Sequence, residues 1–484
     1  MRVSILKLKR VHKFKYFKWV LSFFIVGIIV VVAVMSSINK NKPLCDKCNV
    51  ILVSLDTLSA LHLPCYGYER NTAPNLCAYA DKNITFLNSY SQSPTTKDSH
   101  FSIFTSLYPH THKMTGTFNG TLNESYQTLA QVLRLNGYKT IYNGQLFDIH
   151  FPLSQGMERG FNIFEGGNID KWNDSYTRLL NNIEQKKPTF LFLHTYAVHT
   201  PYVTGHKEKH LFTTLPENPN IPLSQEEYEN ISPEFLSFVV KFVSMNNFSN
   251  NVKIEIADEL KKAKSFKEAK EIYNNFPAKV KIFCFGYWYY SKINRNDTNQ
   301  VEYLKALYDE QIYNLDKKLG NLFKLMDNPK LTKNTILIIT ADHGEEFMEH
   351  GNLSHSTDLF KTQTDVPLII HIPGVHPRKI TEIVQGIDIY PTALNLTGLK
   401  SRSLIEGIDL TGLIMGDKNA KRNKLLRSEL YSLVALQMQN WRFYYDKQNK
   451  TPNELYNLTT DPQEKTNVAN LYPKIVDEFR MSLN

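Results

Sequence analysis

A chain of 484 residues with 42% hydrophobic and 21% charged side chains can bury one large core or two moderate ones, which excludes a disordered protein. Its net charge of +9 invites a nucleic-acid partner, but seven basic side chains fall within residues 1–18 and the remainder is close to balanced, so no nucleic-acid role is expected. Five cysteines are too few for a disulfide-built scaffold.

The basic residues 1–18 lead into WVLSFFIVGIIVVVAVMSSI, an uncharged run from Trp19 to Ile38. At helical rise it is long enough for a bilayer core of about 30 Å. It exceeds a signal-peptide core of roughly 7–15 residues and no small-x-small cleavage site follows, which predicts an uncleaved anchor. The positive-inside rule then gives a cytoplasmic stub (1–18), one transmembrane helix (19–38), a linker (39–48) and an extracytoplasmic remainder. CDKC, with Cys45 and Cys48, has CxxC spacing without the βαβ context of a redox motif. It reads as a local disulfide or as nothing at all.

NVILVSLD follows, an apolar run of strand length that ends at Asp56. SPTTKDSH (93–100) breaks the chain at Pro94 and leads into helical spacing at Phe101, Phe104 and Leu107, so Thr95 or Thr96 falls at a helix N-terminus. Further strand-length runs are TFLFLHTYAVH, ending at His199, NTILIITADHG, containing Asp342, His343 and Gly344, and VPLIIHIPG. Helical patterns such as TLAQVLRLNGY and LYDEQIYNLDKKLGNLFKLM lie between them. Buried parallel strands alternating with helices predict an α/β fold, a mainly parallel central sheet flanked by helices. Residues 203–300 carry weaker strand signals and read as an insertion, either a substrate-shaping lid or a helical cover. From Leu425 the strands become alternating and aromatic and a terminal helix follows, which predicts a small C-terminal α+β subdomain over 425–484 beside a catalytic unit over 49–424.

In such sheets ligands gather beyond the carboxyl ends of the strands, where Asp56, His199, Asp342 and His343 sit. One strand-end aspartate usually caps a turn. Two of them with an imidazole make a plausible half-site for a divalent metal, with a vacancy that a hydroxyl such as that of Thr96 would fill. A free threonine hydroxyl is a poor nucleophile, but a metal lowers the pKa of a bound oxygen, and a helix N-terminus favours an anion. On local sequence alone Thr96 could equally be a helix cap.

The order of these motifs resembles the sulfatase family of the alkaline phosphatase superfamily over nearly the whole length beyond the apolar run. The matching segments include NVILVSLDTLSALHLPCYGYERNTAPNL, SPTTKDSHFSIFTSLYPHTH, HTPY, ITADHGEEFMEHGNLSH, GIDIYPTALNLTGL and ELYNLTTDPQEKTNVA. The resemblance implies a metal held by Asp56, Asp342 and His343, with the nucleophile oxygen of Thr96 as a further ligand. It implies that His199 and His355 contact the ester or protonate its leaving oxygen. His100 then touches the nucleophile or the anion, or only packs; His350 is a weaker candidate in a turn, and Lys97 reads as an exposed lysine.

The family's C/S-x-P-x-R motif becomes Thr96-Lys97-Asp98-Ser99-His100, so no formylglycine is expected. Cys65 matches a non-catalytic family cysteine. Thr57 replaces a second consecutive aspartate, and a GKWH segment reads Gly144-Gln145-Leu146-Phe147. Thr-x-x-x-His is similar to superfamily phosphodiesterases and to phosphoethanolamine and glycerophosphate transferases. The expectation is therefore a membrane-anchored hydrolase or transferase of phosphoesters with a metal-bound Thr96 nucleophile. A sulfuric ester hydrolase and a non-catalytic binding or scaffolding protein are the alternatives. His343 favours Zn²⁺ or Mn²⁺ over Ca²⁺ or Mg²⁺. An ester substrate such as a lipid head group or a surface glycan is the expected partner, with the membrane through residues 19–38.

Overall fold

A computed structural model describes residues 43–116, 120–144, 155–202, 211–215, 232–245, 260, 262–275, 278–417, 419–420, 425–448 and 454–483. Its centre is an eight-stranded sheet built from β1 (Asn49–Leu55), β2 (Ile84–Tyr90), β3 (Lys139–Gly144), β4 (Ile163–Gly166), β5 (Thr189–Thr195) and β6 (Thr335–Thr340), with two later strands. A two-stranded ribbon, β7 (Glu346–Phe347) and β8 (Leu353–Ser354), precedes those two, β9 (Leu368–His371) and β10 (Arg378–Gln385). The order is β10-β2-β9-β6-β1-β5-β3-β4.

Within β1, Ile51, Val53 and Leu55 enter one core cluster while Val50 and Leu52 enter the other. Side chains alternate across a strand, so a strand covered on both faces must be apolar at nearly every position, as NVILVSL is. One face packs against the helices Pro74–Ala80 and Thr298–Met326; the other packs against Thr96–Thr105, Leu129–Leu135 and Ile389–Leu396. The described helices of the 203–300 segment add Phe235, Val239, Cys284 and Tyr289 to the first of these clusters.

One strand departs from the expected parallel arrangement. β9, from VPLIIHIPG, runs antiparallel to both β2 and β6. After β6 the chain turns through the ribbon and re-enters the sheet on the same edge without a crossover, and an antiparallel return is what such a connection allows.

The C-terminal sheet, β11 (Leu426–Leu430), β12 (Leu433–Met438), β13 (Trp441–Asp446) and β14 (Glu454–Asn457), is antiparallel in that order. The helix Pro473–Met481 covers it by stacking Phe479 on Phe443, with ring centroids 5.3 Å apart. Glu429 N–H donates to Gln92 O at 2.8 Å and Ser428 Oγ donates to Ser91 O at 2.6 Å, so β11 braces the stretch just ahead of Thr96. CDKC closes as a Cys45–Cys48 disulfide, and Cys65 pairs with Cys77.

The anchor expected over 19–38 lies outside the described residues. No described helix is long and apolar enough to cross a membrane. The longest, Thr298–Met326, buries one face while carrying Lys305, Lys317 and Lys318 among other charges. The single-pass membrane placement is corrected on that finding, and the membrane is withdrawn as a partner.

Candidate active site

β1 lies between β6 and β5, which brings Asp56, Asp342–His343 and His194 to one edge of the sheet. Asp56 N–H donates to Thr195 O at 3.1 Å, tying the turn after β1 to the end of β5. Asp342 Oδ1 accepts from the backbone N–H groups of Thr57 at 3.2 Å and His343 at 3.0 Å. Gly344 follows because nothing larger fits: a Cβ there would stand 2.3 Å from Thr362 O.

Thr96 is not the helix cap. Thr95 takes that position, with extended backbone, and Thr96 opens the helix with its side chain turned to the strand ends. Its Oγ1 donates to Asp56 Oδ2 at 3.3 Å and lies 3.3 Å from His343 Nε2. Behind it His100 is completely buried, donating from Nδ1 to Thr96 O at 2.7 Å and accepting at Nε2 from Ser54 Oγ at 2.9 Å. The structure therefore sets His100 against the backbone of Thr96, on the side away from solvent.

Asp56, Asp342 and His343 each offer one ligand atom within 4.8 Å of the others. Among the described residues no hydrogen-bond donor reaches the buried oxygens Asp56 Oδ1 and Asp342 Oδ2, and His343 spends Nδ1 on Gly344 O at 3.0 Å, leaving Nε2 facing them. Burial, and then the facing charge of Asp342, push the Asp56 carboxyl well above the usual range. Burial would raise Asp342 too, but His343, His100 and His194 outweigh it and hold that carboxyl below the usual range. Two buried carboxylates with donor-less oxygens and an imidazole lone pair fit a divalent cation; none of the three would be comfortable without one.

His194 escaped the sequence reading. Its Nε2 lies 3.3 Å from Asp56 Oδ2 and its ring meets His100 edge-on at 4.9 Å. His100, His194 and Asp342 also bring ligand atoms within 4.8 Å of one another. The available signal was an imidazole at the end of the otherwise apolar run TFLFLH.

On the outer side, the His355 ring stands 4.5 Å from that of His343 and 5.0 Å from that of His199. Burial pushes both His199 and His355 down to about 4, so both are neutral at neutral pH. His355 Nδ1 lies 3.1 Å from Glu345 Oε1, and burial pushes the Glu345 carboxyl up to about 7. His350 is not part of this group: it stacks on Phe360 and donates from Nε2 to Gln463 O at 3.0 Å. Lys97, expected to be exposed, is buried in the first turn of its helix. Of Gly144-Gln145-Leu146-Phe147 only Gly144 is described, at the end of β3.

The sulfatase family model matches residues 48–399, most of the chain. The protein belongs to the sulfatase family, and with it to the ester hydrolases. Arylsulfatase K of Gallus gallus is 23% identical over 463 residues, covering 89% of this chain and 81% of that protein. An N-acetylgalactosamine-6-O-sulfatase of Bacteroides thetaiotaomicron is 23% identical over 488 residues, covering 91% and 92%. A solved structure of a protein with its substrate D-glucosamine-2-N,6-O-disulfate superposes with a TM-score of 0.64 at 19% identity, covering 90% and 96%. These matches overturn the expected phosphoester specificity and the Thr-nucleophile phosphodiesterase or phosphotransferase reading, because family and relatives alike are sulfatases. The physical reason is that Thr-x-x-x-His fixes where a hydroxyl stands, not which ester reaches it.

Proposed function

We propose that the protein hydrolyses sulfate esters, with sulfated sugars as the substrate class. The observation that carries this reading is the convergence of Asp56, Asp342 and His343, with their donor-less carboxylate oxygens, on the Thr96 hydroxyl at a helix N-terminus. The sulfatase names of the relatives support the choice of ester.

In this reading Asp56, Asp342, His343 and Thr96 Oγ1 hold a divalent cation. The oxygen-rich set accepts Ca²⁺ or Mg²⁺, and His343 tips it toward Mn²⁺ or Zn²⁺. When bound, the cation supplies charge neutralisation and polarisation of the ester oxygens. Thr96 aligns with the Cys or Ser of the family motif, and in this reading its hydroxyl completes the oxygen set around the cation. Backbone N–H groups of the first helical turn face the sulfate. His199 donates from Nδ1 to Thr200 O at 2.7 Å, which leaves its Nε2 to hold or move a proton at the ester oxygen beside His355. Residues 49–424 form the catalytic unit, with 203–300 shaping its substrate side, and 425–484 brace it.

The test uses p-nitrophenyl sulfate and a panel of sulfated monosaccharides, with the matching phosphate esters as controls. Sulfate release that needs a divalent cation and is lost in Thr96→Ala supports the reading. Release that persists in Thr96→Ala, or turnover of the phosphate esters alone, refutes it.

A further inference from the structure

Behind the outer histidines lies a chain of buried polar groups that the cation site does not account for. Glu345 is buried, and both of its oxygens are engaged. Oε1 lies 3.1 Å from His355 Nδ1, and Oε2 accepts from Tyr202 OH at 3.0 Å. Tyr202 OH is 3.1 Å from Tyr290 OH, which in turn bonds Thr200 Oγ1. The backbone of the same Thr200 accepts His199 Nδ1. The chain therefore leaves one outer imidazole and returns to the other.

We infer that Glu345 is a positioning residue, the centre of a buried hydrogen-bond yoke that fixes the rings of His355 and His199 in one tautomer with both Nε2 atoms toward the ester. The inference rests on the reading that these histidines face the substrate. Tyr202 OH donates to Oε2, which leaves Oε1 to accept the His355 Nδ1 proton, as the Thr200 carbonyl accepts that of His199. Such outer partners orient a ring without touching substrate, and their loss costs roughly 10–100-fold where the analogous case has been measured at metal-bound histidines. The yoke also gives Tyr290, in the helix Ala278–Ser291, a part in the site: it ties the 203–300 segment to the reacting edge. Among the described residues no lysine or arginine reaches either Glu345 oxygen, which sets it apart from a charge buried for packing.

The experiment combines ¹⁵N-histidine NMR of the full chain with steady-state kinetics on p-nitrophenyl sulfate, for Glu345→Gln, Glu345→Leu and each of these with His355→Ala. Glu345→Gln keeps an acceptor, so His355 should stay protonated at Nδ1 with its proton signal moved upfield, and kcat should fall by less than about 10-fold. Glu345→Leu should mix the His355 tautomers and lower kcat by about 10–100-fold with little change in KM. In the His355→Ala background either substitution should cost less than it does alone, only the share that runs through Tyr202, Tyr290 and Thr200 to His199. Equal losses with and without His355, or an unmoved His355 Nδ1 signal in Glu345→Gln, overturn the inference. The glutamine variant carries the test if the leucine variant fails to fold. A wild-type protein that releases no sulfate refutes the proposed reaction, and the His355 signal still decides the yoke.

Discussion

Asp309 and Asp56 are both completely buried and both stand beside an imidazole, yet only one of them looks like part of a reaction centre. Asp309, on the long helix, accepts from His62 Nδ1 at 2.7 Å, Tyr68 OH at 2.7 Å and Arg70 Nη1 at 2.8 Å. Burial would raise its carboxyl, but His62, Arg70 and Tyr68 together hold it below the usual range. Asp56 has one oxygen with no donor, two contacts at 3.3 Å on the other, and a second carboxylate facing it. The first is a closed knot that staples the loop after β1 to the long helix. The second is a set of ligands still short of positive charge, so what marks a site is incomplete satisfaction, not burial of charge.

Breaking the closed knot should have the largest effect on stability. Asp309→Ala leaves Arg70 and His62 around an empty position and should cost about 3–5 kcal/mol in chemical denaturation, with cation binding intact. Thr96→Ala lies on the open side. It should lower sulfate release by about 10²–10³-fold, as removal of a single group aimed at developing charge does, with unchanged stability of the metal-free protein. Asp56→Asn relieves the facing carboxylates and removes a ligand. The metal-free variant should be at least as stable as wild type, and it should lose the roughly 2.7 kcal/mol of stabilisation expected at a cation concentration 100 times Kd. Thermal melts with and without cation check both halves.

The smallest effect belongs to a third buried carboxylate, which is closed like Asp309. Burial would raise Glu429, but His110 and Arg427 hold it at about 2. A folded value below the unfolded one, about 4.5, means that its contribution is complete above about 4.5 and disappears as pH falls toward 2. Glu429→Gln should flatten the acid limb of stability in that window, followed by fluorescence of Trp441 in β13 of the same sheet. An unchanged acid limb would show that β11 is not held on by this group.

Much of the fold was legible because its central strands are buried on both faces, which leaves near-continuous apolar runs such as NVILVSL and TILIIT. The direction of β9 was not, since an apolar run carries no sign of which edge the chain re-enters. Asp56, Thr96, Asp342 and His343 were legible because each stands just beyond a strand or at a helix start, where polar residues need a reason. His194 was hidden by its own strand: only the pairing of Ser54 with His194 across β1 and β5 shows that its ring reaches Asp56. Glu345 was hidden for a related reason, since EE after DHG reads as charged surface until Tyr202, from the loop after β5, and Tyr290, from a distant helix, are seen behind it. The ester was misread because one hydroxyl at one register was given more weight than the order of the surrounding motifs.

The most direct test of the account is the release of inorganic sulfate from sulfated monosaccharides by metal-stripped protein resupplied with a divalent cation, wild type against Asp342→Asn. The account predicts sulfate only from the wild type and only after cation is returned. Sulfate release that survives stripping or the Asp342→Asn substitution, or a resupplied wild type that releases none, would contradict it.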